Sequence, residues 1–213
     1  MRNNTAQMSR EILKLFLYFV AVYALTIYAW MHFKIVYEVI LVKSIMEFFA
    51  LTFDHTVHKI DYVNGVFSVY MKSNMLFLDA LKKPLTLTWT MGHNLSSIIY
   101  NFPMSLAATT ALILAKFNTK RDLLLIFHVM ALVVLLHATI LYFECIVIAA
   151  DTMKNNPMMQ VALEPYMLMQ IDYKYILFFL VKYGLQFEPF VMLVYVWTLL
   201  SVRKQRALSL DKL

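Results

Sequence analysis

A chain of 213 residues that is 62% hydrophobic and only 15% charged, with mean hydropathy +0.66, is far from the half-apolar, quarter-charged balance of a soluble domain. That composition excludes an ordinary soluble protein and gives an integral membrane protein. The formal charge of +6 does not argue for nucleic acid, because the basic residues gather at the ends of apolar runs. The single cysteine, Cys145, excludes an internal disulfide and a multi-cysteine metal site.

In chain order, residues 1–11 are polar and form an N-terminal segment carrying Arg2 and Arg10. A first span is expected over 12–33, with Lys14 at its inner end and Trp30, His32, Phe33 and Tyr37 at its outer interface. It is too long, and lacks a small-residue cleavage site, for a cleavable signal peptide. Neither glycine nor proline interrupts the chain from Glu11 to Asp54, so the helix should project beyond the membrane to about residue 53. Ile35, Val39, Val42, Ile45 and Met46 are expected to form its apolar stripe. Lys34 and Glu38, and Lys43 and Glu47, stand four apart, each pair on one face.

Between 54 and 92 the period changes. Asn64-Gly65 is the strongest short hairpin signal, since both turn positions favour positive φ. Tyr62, Val63, Val66, Phe67, Val69 and Tyr70 are good strand formers. Leu85, Leu87 and Trp89 alternate with threonines, which marks a third strand. A second span is expected over 93–115, a cytoplasmic loop over 116–122, and a third span over 123–150. A Met-rich outer loop with Pro157 and Pro165 follows over 151–172. A fourth span over 173–202 leads into a tail, 203–213. The expected fold class is a mainly α membrane protein, with four transmembrane helices and a small extracytoplasmic antiparallel β element between spans 1 and 2.

Charge supports this order. Together with Lys14 at the inner end of the first span, the three proposed inner segments hold ten of the 19 cations and three of the 13 acids, and all five arginines (Arg2, Arg10, Arg121, Arg203, Arg206) fall inside. By the positive-inside bias, both termini are cytoplasmic.

Ionisable groups inside spans raise a functional hypothesis. His93, Asn94, Asn101, Glu144, Lys182, Gln186 and Glu188 should share one depth in the outer leaflet, with Lys182 a candidate partner for Glu188. Helix glue with headgroup contacts is the favoured reading of this cluster. His137 and Glu144 are seven apart and share a helix face, whereas His128 lies on the opposite face. Glu144, His137 and Glu188 are the residues of an alternative reading, a membrane enzyme or proton-coupled component. Asp54, His55 and His58 invite a metal, but solvated turn residues are favoured. Met153, Met158, Met159, Met167 and Met169 are soft donors, read in preference as packing and contact residues. No metal or cofactor is expected. Cys145 beside Glu144 is not an activated thiol.

The segment PLTLTWTMGHNLSSIIYNFPMSLAATTALILAKFNTKRD, followed by a long apolar helix, resembles the exosortase H-associated membrane protein family. Pro103 to Ala115 matches its span before basic residues, and Phe187 to Leu200 its last, Trp-bearing span. Tyr100-Asn101 stands where a Tyr-Gly-like pair is usual. The resemblance implies a bacterial inner-membrane protein, accessory to an exosortase-like membrane peptidase, with no catalytic residues to carry over. Exosortases themselves resemble sortases in using Cys, Arg and His at the outer face. This chain places Cys145 and His93 there but no arginine. The expected function is therefore a non-enzymatic accessory subunit. A membrane protein partner is expected to dock on Val39, Val42 and Met46 of the projecting helix.

Overall fold

The computed structural model describes residues 2–53, 55–63, 66–78, 83–94, 101–116, 120–155, 160, 168, 179 and 185–210. Asp54, Asn64, Gly65, Ser96, Ser97, Pro157, Met158, Met159, Pro165, Met167, Met169 and Lys182 lie outside the described residues. The fold is mainly helical with a small antiparallel sheet. Its elements are α1 (Arg2–Thr52), β1 (His55–Val63), β2 (Val66–Leu78), β3 (Lys83–Asn94), α2 (Asn101–Ala115), α3 (Lys120–Lys154) and α4 (Leu185–Leu210).

With no glycine or proline to break it, α1 runs unbroken for 51 residues. At 1.5 Å per residue that is about 76 Å, more than twice the hydrocarbon thickness. Phe53 N–H donates to the Phe49 carbonyl at its end. Among the described residues, two helices are long and apolar enough to cross a membrane, Met8–Thr52 and Leu123–Lys154.

The chain divides into two compact units. Unit 1 comprises Met1–Lys34, Tyr100–Leu135 and Leu185–Leu213. Its inner helix is α2, buried on nearly every side through Phe102, Pro103, Ser105, Ala107, Thr109, Ala111, Leu112 and Ile113. Small residues at these positions let neighbouring backbones approach closely. Pro103 sits in the first turn, where its missing N–H costs no helical bond. Trp30 of α1 stacks on Phe102, with ring centroids 4.8 Å apart. Ser105 meets Glu188 at one end of the pair α2 and α4, and Lys116 meets Trp197 at the other. The two helices therefore run parallel.

Two expected boundaries shift in unit 1. The helix α2 has 15 residues, about 22 Å, short of a bilayer crossing on its own. The last helix continues past 202 to Leu210. Pro189 is its fifth residue, so the ring forfeits only the first intrahelical bond and the helix continues.

Unit 2 comprises Ile35–Ile99 and Leu136–Gly184. Its sheet has the order β1-β2-β3. Val63 pairs with Val66, leaving two residues in the connection, which suits the Asn-Gly signal. Directly opposed residues share a sheet face. Phe67, Val69 and Met71 are buried, and their register partners on β3 are His93, Met91 and Trp89. Thr88 and Thr90 oppose Lys72 and Tyr70 on the other face, where Thr90 is exposed. The edge strand β1 has a bulge between Val57 and Lys59, and a surface ion pair joins Lys59 Nζ to Asp61 Oδ2 at 2.7 Å. Bulges and charges protect a sheet edge from stray pairing.

The buried stripe of α1 in unit 2 is Glu38, Leu41, Val42, Met46, Phe49 and Ala50, with Phe53 just beyond its end. This corrects the expected docking surface. Val42 and Met46 have no solvent exposure, because they pack inside the chain's own core, whereas Val39 is exposed. Glu38 is also buried rather than on an open face. The expected start of the second span also moves: β3 runs on to Asn94, so His93 and Asn94 end a strand rather than begin a span. At the other end α3 continues to Lys154, which places Asp151 and Met153 in the helix and not in a loop.

Candidate functional site

Two buried polar pairs stand out, one in each unit. In unit 1, α4 carries Glu188 in its first turn, and the side chain is 1% exposed. Ser105 of α2 donates its hydroxyl to Glu188 Oε1 at 2.7 Å. Thr109, one turn on, donates its hydroxyl to the Ser105 backbone carbonyl at 2.7 Å. Ser105 and Thr109 are both fully buried. A carboxylate removed from water needs such a donor, since an uncompensated buried charge is costly. Chemically, the pair can hold a proton or fix two helices together.

In unit 2, His137 of α3 is fully buried. Its Nδ1 lies 2.9 Å from the Tyr37 hydroxyl on α1. The tautomer decides the direction: Tyr37 donates to a bare Nδ1, or a protonated Nδ1 donates to the Tyr37 oxygen. Farther along the same two helices, Cys145 Sγ lies 3.2 Å from Met46 Sδ. Both sulfurs are buried, so the thiol is a packing group. Aromatic contacts continue the seam, with Phe48 5.4 Å and Phe49 6.3 Å from the Tyr142 ring.

The residues expected to share one depth are thus divided. Glu188 is paired with Ser105, a residue that the sequence does not single out. Gln186 is exposed, although only two residues away on α4. Asn101 opens α2. Glu144 is half-buried on α3, in the unit that holds His137. His93 and Asn94 belong to β3. Tyr37 is the other partner that sequence reading misses, taken there for an interfacial aromatic. His128 lies with Tyr195 of α4, Nε2 to hydroxyl 2.7 Å, at an exposed position. His58 is an exposed residue at the β1 bulge. Among the described residues, no group of three or more His, Cys, Asp or Glu side chains could hold a metal ion.

Electrostatics outside the helices centre on the sheet. The Asp61 carboxylate accepts a hydrogen bond from Lys59 and, with its charge, holds that amine above the ordinary lysine range. Comparison with protein-family models, curated proteins and solved structures finds no match.

Proposed function

We propose that the chain is a non-enzymatic, four-span subunit of a bacterial inner-membrane complex, with both termini cytoplasmic, serving beside an exosortase-like protein-sorting peptidase. The observation that carries this reading is α1. One unbroken helix joins an apolar, lipid-compatible segment to the β-bearing unit 2. A helix that is apolar over so long a stretch suits a membrane-anchored subunit.

The partner surface is the face of α1 that the core leaves open. Val36, Val39, Ile40, Phe48 and Leu51 are all exposed there, Leu51 by 80%. Apolar patches beyond a few hundred Å² usually mark interaction or membrane contact. Ile40→Glu and Leu51→Glu should abolish co-purification of the membrane partner while the chain stays membrane-bound and folded. Retention of every partner by both variants would remove this face from consideration.

A second reading draws on the buried pairs. A proton-coupled component or membrane enzyme would use Glu188 in unit 1, or His137 with Glu144 on the same helix in unit 2. Proton transfer by a positioned group contributes about 10²–10⁴-fold. Normal complex abundance with function abolished in Glu188→Gln would favour this reading over the subunit.

A further inference from the structure

Arg10, Lys14, Lys116, Lys120, Arg121 and Arg203 gather towards one end of the helices of unit 1. On α3 and α4, His128 meets Tyr195. Moving back from His128 to Lys120 covers as many residues as moving on from Tyr195 to Arg203, about 12 Å in each case. The start of α3, with Lys120 and Arg121, is therefore level with Arg203 on α4. The last turn of α2 reaches the same end, where Lys116 Nζ lies 3.7 Å from the centroid of the Trp197 ring. For α1, Thr26 Oγ1 lies 3.5 Å from the Pro103 carbonyl. Moving from Pro103 to Lys116 covers as many residues as moving back from Thr26 to Leu13, which lies between Arg10 and Lys14.

Arg10, Lys14, Lys116 and Arg203 are exposed. The next turns inward are exposed and apolar: Leu13, Leu17, Leu124, Phe127, Val194 and Val202. Aromatic rings mark the boundary, Trp197 under Lys116 and Tyr18 under Lys14. A ligand that satisfies both zones must join an anion to a long apolar body. Nucleic acid and soluble phosphates lack the second part.

We propose that this collar is a binding site for the phosphate of an anionic glycerophospholipid, held by Lys116 and Arg203 with Trp197 against the glycerol and upper acyl region. The site rests on the membrane reading but needs no partner protein. Each cation near an anionic surface contributes enough for about a fivefold preference.

The test uses the full chain carrying Trp30→Phe and Trp89→Phe, so that Trp197 is the sole reporter, in nanodiscs. Brominated phosphatidylglycerol, diluted in phosphatidylcholine, should quench Trp197 more strongly than brominated phosphatidylcholine at the same mole fraction. Lys116→Gln or Arg203→Gln should each cut that preference about fivefold. Lys154→Gln, which removes an exposed cation at the far end of α3, should leave it unchanged. Equal quenching by the two lipids would overturn the proposal. So would an equal loss in Lys154→Gln, which would assign the effect to net charge. Inorganic phosphate added to phosphatidylcholine discs should not alter Trp197 emission, and a Lys116-dependent change would overturn the lipid in favour of a soluble anion. Failure to enter discs of either lipid would overturn the membrane reading together with the site.

Discussion

Ser105 and Glu188, 83 residues apart in sequence, share a 2.7 Å hydrogen bond between two parallel helices of unit 1. Both side chains are buried, so the bond fixes the level of α4 against α2. Ser105→Ala should cost about 1–2 kcal/mol in a denaturant titration of the detergent-solubilised chain, because it leaves the carboxyl without this donor. Glu188→Gln retains an acceptor oxygen and should cost less. An unchanged transition in Ser105→Ala would mean that the bond is not formed in the folded chain.

Much of the β element was legible in the sequence, for local reasons. Asn64-Gly65 separates two strand-forming runs, and Val63 does pair with Val66. The alternation of Leu87 and Trp89 with Thr88 and Thr90 agrees with the register against β2. The helix face was not legible. Around residues 35–51, α1 is apolar on most sides, so periodicity could not separate Val39, which is exposed, from Val42, which is buried. Glu38 in the buried stripe puts a carboxyl group where hydropathy puts none. The polar pairs were missed in part because Tyr37 and His137 are 100 residues apart, and nothing local marks either as the other's partner. Ser105 is an ordinary small residue in an apolar helix until α4 is laid beside it. The strand end was misplaced because Gly92, His93 and Asn94 carry no propensity strong enough to show that the ladder continues.

The packing of α1 sets apart neighbouring valines. Val42→Glu would bury an unpaired carboxylate and should cost more than about 3 kcal/mol, seen as loss of the cooperative transition or of soluble, monodisperse protein. Val39→Glu, on the open face, should stay within about 0.5 kcal/mol of the parent. Met46→Ala should cost about 2–5 kcal/mol, well above Val39→Glu, through the cavity left beside Cys145. Equal effects at Val39 and Val42 would contradict the burial pattern.

The Lys59 and Asp61 pair gives a pH-dependent signature. Because the folded amine titrates above its ordinary range, its contribution is fully present below the unfolded pKa and is lost as pH rises through the folded one. Asp61→Asn should return the Lys59 titration, followed by NMR of the side-chain amine, to the ordinary range. Stability near neutral pH should barely change, since the amine is exposed and the pair is screened by solvent. A Lys59 titration unmoved by Asp61→Asn would show that the ion pair does not form in solution.

Side-specific thiol labelling tests most directly the proposal of four spans with both termini inside. In a Cys145→Ala background, single cysteines would replace Val63, Lys116, Lys154 and Arg203, all exposed positions. A membrane-impermeant maleimide applied to intact cells should label positions 63 and 154 and leave 116 and 203 unlabelled until the membrane is opened. Labelling of 116 or 203 in intact cells, or the same response at 63 and 116, would contradict the account.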